Sequence, residues 1–146
     1  MKTVSDILKI KGSAVYSITP DNTVLDALEL MAEKGIGAIL VMESNKVRGI
    51  FSERDYARRV ILQHKTEAAP IHEVMTEDIY FVHLEQTVEE CMAQMTDKHI
   101  RHLPVIQDDS VVGVISIGDL VKTLIEHQAD LIRNLEDYIM GRGYNQ

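Results

Sequence analysis

Apolar positions follow two rhythms along the chain. Val15 to Ile18 is a short apolar run closed by Thr19-Pro20-Asp21-Asn22, which reads as a strand ending in a turn. Thr23 is placed to cap a helix, because Val24, Ala27, Leu28 and Met31 then follow the helical period. Gly35 closes that helix. Ala38 to Met42 is almost unbroken in its apolarity, as in a buried strand. Ser44-Asn45 predicts a tight turn and Val47 to Phe51 the return strand of a hairpin. Asp55 to Leu62 completes the unit as a second helix. The order is strand, helix, strand, strand, helix.

The pattern then starts again. Ile18 and Val82, Thr23 and Thr87, Val24 and Val88, Leu28 and Met92, Met31 and Met95, Val41 and Val105, and Val47 and Val111 are each 64 positions apart. No gap is needed between Ile7 and Leu120. A duplicated unit changes the fold reading, because each copy is one supersecondary unit. The second copy therefore predicts a strand over Ile79 to Val82 and a helix over Val88 to Met95. A hairpin of Leu103 to Ile106 with Val111 to Ile115 turns around Asp108-Asp109, and a final helix opens with Leu120 to Ile125. The fold class is α/β: two βαββα repeats over residues 1–65 and 66–127, and a C-terminal helical tail over 128–146. Gln63 to Pro70 is a short polar linker, so the halves are expected to pack together.

The tail carries Leu124, Ile125, Leu131, Ile132, Leu135 and Ile139 as an apolar stripe at helical spacing, with Gly141 and Gly143 to end it. Pattern alone favours packing on its own domain. The alternative is a helix that pairs with another subunit.

Composition narrows the function. The chain has 146 residues, 45% of them apolar, enough for one core or two half-size units sharing one. It has no run of eighteen apolar residues to span a membrane. Met1 to Ile10 lacks the basic end and apolar run of a signal peptide. The single cysteine, Cys91, excludes an internal disulfide framework and a cysteine zinc site. These features favour the cytoplasm. A net charge of −8 argues against general nucleic-acid binding, which needs phosphate-neutralising surface.

The chemistry concentrates in one repeated heptapeptide. Gly49-Ile-Phe-Ser52-Glu-Arg-Asp55 and Gly113-Val-Ile-Ser116-Ile-Gly-Asp119 each run a strand into a helix N-terminus. Such a junction offers free backbone N–H groups and the positive end of the helix dipole, which suits a phosphate. Its carboxylate can cap the helix or accept hydrogen bonds from ribose hydroxyls. The identical placement of both copies favours ribose binding over simple capping.

This Gly-apolar-apolar-Ser-x-x-Asp motif, the Thr-Val helix start and the strand Arg101-His102-Leu103-Pro104-Val105 resemble those of tandem cystathionine-β-synthase (CBS) domains, known in pairs as a Bateman module. The resemblance covers roughly Thr3 to Ile125, and the tail Leu135 to Gly141 looks like that of small stand-alone bacterial members. It implies a sensor in which the two repeats pack through their sheets with pseudo-twofold symmetry and leave two clefts, each built from both repeats, that take adenosine ligands such as AMP, ADP, ATP, S-adenosylmethionine or NAD(H). The motif Asp would take the ribose hydroxyls, and the motif Ser would lie near ribose or phosphate. Carried over by position, one cleft would use Lys11, Tyr16, Ile36, Ala38, Ser116 and Asp119. The other would use Ser52, Arg54, Asp55, Tyr80, Arg101, His102 and Leu103. Arg101-His102 stands where the nucleotide-sensing γ subunit of AMP-activated kinase has a phosphate-binding His-Arg pair, in reversed order. The first copy has Ile36-Gly37 there, so the clefts are expected to differ, the one with Arg54 and Arg101 being better suited to phosphates. Related modules often dimerise into a flat disc of four repeats, and a homodimer is expected.

Competing readings attach to several residues. Arg58 and Arg59 fit a solvated helix face and stay outside the site. Tyr16 and Tyr80, a matched pair on first strands, could pack there or sit beside an adenine. The histidines do not cluster with metal-ligand spacing, so no metal is expected. Cys91 aligns with Ala27 on a core face and reads as a small buried filler. There is no nucleophile–base pair and no Walker-type loop with its Lys, so the chain reads as a non-catalytic sensor that needs no catalytic cofactor. The alternative is a structural interaction module with empty or constitutively filled clefts. The sequence leaves open which adenosine ligand is physiological, which protein target responds, and how a dimer is oriented.

Overall fold

A computed structural model describes residues 1–140. In chain order the elements are α1 (Val4–Lys11), β1 (Ser17–Ile18), α2 (Val24–Lys34), β2 (Ala38–Glu43), β3 (Lys46–Ser52), α3 (Glu53–Asp55), β4 (Val82–His83), α4 (Val88–Lys98), β5 (His102–Gln107), β6 (Ser110–Ser116) and α5 (Ile117–Ile139). α3 runs on as a π-helix over Tyr56–Ile61, and a single 3₁₀ turn covers Ile71–Glu73. The chain forms two compact units, one of Ala14–Tyr80 and one that joins Met1–Ser13 to Phe81 and beyond.

The unit of residues 14–80 holds the three-stranded sheet β1-β2-β3, with β1 parallel and β3 antiparallel to β2. α2 starts where Thr23 and Asp26 exchange a capping box and stops at Gly35, which takes the left-handed conformation at φ 64°. Its buried face of Val24, Ala27 and Met31 packs with Ile39, Val41, Phe51, Val60, Ile71 and Val74. The hairpin turns through Ser44 (φ 52°) and Asn45 (φ 64°), two residues with positive φ that match the twist of the flanking strands.

The other unit repeats this plan in its sheet β4-β5-β6. The register is preserved: Ala38 faces Ser52 as His102 faces Ser116, and a bulge follows Val41 and Val105 alike. Asp108 (φ 51°) and Asp109 (φ 62°) make the equivalent turn. Val88, Cys91 and Met95 of α4 are buried with Leu103, Val105, Ile115 and Leu120.

Each unit also takes in a segment that the sequence repeat assigns elsewhere. α1 opens residues 1–65 in sequence yet belongs to the unit with β4, β5 and β6. Val4 N–H donates to the Gln86 carbonyl and Ser5 N–H to that of Leu84. Residues 69–76 do the same for the other unit: Val24 N–H donates to the Ala69 carbonyl and Ile71 N–H to that of Asn22. Ile7 and Ile71, one repeat apart, are both buried. The motif glycines make these attachments possible. A Cβ on Gly113 would lie 2.8 Å from Leu8 Cδ2, and one on Gly49 would lie 2.5 Å from Met75 Sδ.

The structure corrects several expectations. The first strands are only two residues long, because only Ser17–Ile18 and Val82–His83 pair with their neighbours; Val15, Tyr16, Ile79 and Tyr80 lie outside them. The helix expected over Asp55 to Leu62 starts at Glu53, since Ser52 is its cap, and changes to π geometry at Tyr56. α1 was not expected at all. The tail continues α5 without a break, and its stripe does not pack on its own unit: Ile125, Leu131, Ile132, Leu135 and Ile139 are exposed. Gly141 and Gly143 lie outside the described residues.

Candidate functional site

Each motif builds the same corner. β3 and β6 end at a serine in extended conformation, Ser52 (φ −122°) and Ser116 (φ −114°), which then caps the following helix. The Asp three residues on completes the box. Ser52 N–H donates to Asp55 Oδ2 at 2.9 Å, and Ser116 N–H to Asp119 Oδ2 at 2.8 Å. The return bonds run from Asp55 N–H to Ser52 Oγ and from Asp119 N–H to Ser116 Oγ, both 3.2 Å. Two of the orphan donors of a helix start are thereby satisfied, and a carboxylate is held at the positive end of the dipole. The start of the second strand is bound to the same corner: Glu53 N–H donates to the Gly37 carbonyl, and Ile117 N–H to that of Arg101.

The two carboxylates then diverge. Asp55 is 9% exposed and both of its oxygens are engaged. Oδ2 accepts from Ser52 N–H and Oγ–H; Oδ1 accepts from Thr76 Oγ1 at 3.0 Å and lies 3.7 Å from Arg59 Nε. Arg59 also donates through Nη1 to the Met75 carbonyl at 2.9 Å. Asp119 is more open. Its Oδ2 accepts from Ser116 N–H and from Lys11 Nζ at 2.6 Å, while Oδ1 has no further partner among the described residues. Lys11 donates as well to the Val114 carbonyl at 2.7 Å. Partial burial pushes the Asp119 carboxyl up, but the Lys11 ammonium and the Ser116 donors outweigh it and hold the group below its ordinary value.

The unit that contains α1 thus brings together Lys11, Arg101, His102, Leu103, Ser116 and Asp119. The unit of residues 14–80 holds Tyr16, Ile36, Ala38, Ser52, Arg54, Asp55 and Tyr80. Leu103 and Ala38 are buried, so their side chains present little surface. Tyr16 has Lys34 Nζ 5.1 Å from its ring centroid. Thr76 and Arg59, the partners of Asp55, were missed by sequence reasoning. The Asp55–Arg59 spacing of four residues is the one signal that could have raised Arg59. No group of three metal-ligating side chains occurs among the described residues. Cys91 is buried, which pushes its thiol up to about 11.

The CBS domain family model matches twice, over residues 4–62 and 71–126. The chain belongs to the CBS-domain family. Its two repeats are two CBS domains, as the motifs implied. The mitochondrial CBS domain-containing protein CBSX3 of Arabidopsis thaliana is 36% identical over 97% of this chain and 73% of its own length. A CBS-domain protein from Burkholderia ambifaria has a solved structure that matches with a TM-score of 0.83 at 46% identity, covering 87% of this chain and 96% of that one. The CBS domain pair of protein MJ0100, solved in complex with 5′-methylthioadenosine and S-adenosyl-L-methionine, matches with a TM-score of 0.78 at 22% identity, covering 87% and 98%. That identity speaks for a shared fold. No helix among the described residues is long and apolar enough to cross a membrane.

Proposed function

We propose that this CBS-domain protein is a non-catalytic sensor that binds an adenosine ligand (AMP, ADP, ATP or NAD(H)) and passes a conformational change to a partner. The observation that carries the reading is the corner at Asp119. Its carboxylate is fixed by the capping box, one oxygen is left for ribose hydroxyls, and a cation stands beside it. Lys11 would meet a 5′ phosphate or exchange the carboxylate for it. Ser52, Arg54 and Asp55 form the second candidate half-site. Completion of each half-site by the other repeat, with Tyr16, Ile36 and Ala38 or with Tyr80, Arg101, His102 and Leu103, is part of this proposal. A fork-shaped cation at Arg101 suits bidentate contact with phosphate. The ligand shifts the protein only as far as its affinities for the two arrangements differ.

The test is a thermal-shift panel with AMP, ADP, ATP, NADH and S-adenosylmethionine on nucleotide-free protein. Ligand at a hundred times its dissociation constant adds about 2.7 kcal/mol. For a chain of this size that is a rise of roughly 5–10 °C. Asp119→Ala should abolish the rise for the active ligand, and Arg101→Ala should weaken charged nucleotides far more than adenosine. No shift with any ligand sinks the reading.

One observation favours a second reading, a structural interaction module: Asp55 is already fully satisfied without ligand. Small-angle scattering separates the two, since a sensor changes shape on binding and a structural module does not.

A further inference from the structure

α5 is anchored at one end and bare along the rest. Leu120 is buried, and the helix packs on α4, α1 and β6 of its own unit. Beyond it, Val121, Ile125, Leu131, Ile132, Leu135 and Ile139 are 41–72% exposed. They recur at intervals of three and four and lie on one face with Leu124 and Gln128, the single polar member. Among the described residues these make up most of the large apolar side chains exposed on helix α5, and none of the described residues covers them.

We propose that this stripe docks on the same stripe of a second copy of the chain, with the two α5 helices antiparallel. Area supports a copy-to-copy interface. Each of the six exposed side chains removes on the order of 100 Å² from water when covered. The stripe then supplies roughly 600 of the ~800 Å² that each partner buries in a standard interface, with flanking residues to add the rest. A patch of about 600 Å² is at the top of what monomers leave exposed.

Charge fixes the direction. Lys122 and Glu136 lie on the same edge of the stripe, fourteen residues apart, both exposed and neither ion-paired among the described residues. An antiparallel pair centred near Ala129 sets Lys122 against Glu136 of the partner subunit, twice by symmetry. A parallel pair sets Lys122 against the partner's Lys122 and Glu136 against the partner's Glu136. The same antiparallel register brings Leu124 to the partner's Leu135 and places both copies of Gln128 beside the two-fold. The outer face is net acidic, with Glu126, Asp130 and Asp137 against Arg133, and Arg133 is bonded to Asp130 at 3.1 Å. That is the wrong sign for a helix lying on an anionic membrane surface.

Sedimentation equilibrium on the full chain tests the interface. The wild type should self-associate at micromolar concentration, and Ile132→Glu/Leu135→Glu should be monomeric with unchanged circular dichroism. Lys122→Glu and Glu136→Lys should each weaken association several-fold, and the double swap should restore it, because each edge then meets its opposite again. A nitroxide on Met140→Cys reads direction independently. Antiparallel helices hold the two labels about 30 Å apart along the axis, and parallel ones hold them side by side. A monomeric wild type, association that survives the double Glu variant, labels side by side, or capture on anionic vesicles in place of self-association would each overturn the proposal.

Discussion

The motif glycines permit a quantitative test of the fold. In each unit a glycine on the return strand lets a segment from the other sequence repeat lie flat against the hairpin. Alanine at Gly113 would place its Cβ 2.8 and 2.9 Å from the two methyl carbons of Leu8. Alanine at Gly49 would meet Met75 Sδ at 2.5 Å, Met75 Cγ at 2.8 Å and the Thr76 carbonyl oxygen at 3.0 Å. Carbon atoms rest at about 3.5–4.0 Å, so each substitution demands a shift of roughly 1 Å. The two sites yield differently. Leu8 presents the far end of a side chain, which can turn. Thr76 presents backbone that is locked to Ile50 by reciprocal 2.9 Å hydrogen bonds. Overpacking costs about 1–3 kcal/mol, and the locked backbone places Gly49→Ala at the upper end and Gly113→Ala at the lower. Urea denaturation followed by circular dichroism measures both. Leu8→Ala should also reverse the overpacking term of Gly113→Ala, making the pair less destabilising than the sum of the singles. If Gly49→Ala were no more costly than Gly113→Ala, or either cost less than about 0.5 kcal/mol, close approach would not be why glycine stands there.

Two further outcomes follow from the titrating groups. Asp119 is held below its ordinary value, so its ion pair with Lys11 stabilises the fold above the unfolded-state value and is lost as pH falls through the lower folded one. The stability gap between wild type and Lys11→Met, at most about 1 kcal/mol for so exposed a pair, should be full at pH 6 and narrow below pH 3. A gap independent of pH would show that Lys11 acts only through the Val114 carbonyl. Cys91, with a thiol pushed up to about 11 by burial, should resist alkylation at pH 8 in the native protein and react fully in denaturant; rapid native labelling would mean that the face of α4 opens.

The duplication was legible because burial obeys it. Val24 with Val88, Ala27 with Cys91, Met31 with Met95 and Val41 with Val105 are all buried, so a shift of 64 positions maps core onto core. The turns and caps were legible too, since Thr23, Gly35 and Ser44-Asn45 act within a few residues of themselves. What escaped was set by distant partners. α1 carries a Thr3–Asp6 capping box and buries Val4, Ile7 and Leu8, yet the Leu84 and Gln86 carbonyls that its first N–H groups reach lie some eighty residues away. The first strands looked longer than they are because their apolar residues continue beyond the two positions that pair. At the site, Ser52, Asp55, Ser116 and Asp119 were found through repetition. Thr76 reaches Asp55 only because residues 69–76 fold back on β3, and a one-dimensional pattern does not carry that.

The same geometry separates the roles of two residues that the sequence makes equivalent. A ribose at Asp55 competes with Thr76 and Arg59 for Oδ1, and it leaves the half-buried Thr76 hydroxyl without that acceptor, while the exposed Arg59 keeps its bond to the Met75 carbonyl. Orphaning a fully buried polar group costs about 1–3 kcal/mol, so the half-buried Thr76 hydroxyl sets a cost below that range. A ribose at Asp119 meets an oxygen with no described partner and a lysine at the rim, whose movement costs little. The sequence favours the cleft with Arg54 and Arg101 for phosphates, because the first copy has Ile36-Gly37 where the second has Arg101. With the cost of vacating each carboxylate included, the corner at Asp119 is expected to fill at the lower ligand concentration. Asp55 then acts first as the joint that pins residues 69–76 to its own unit. Asp55→Ala should therefore lower stability in the absence of ligand by more than Asp119→Ala does.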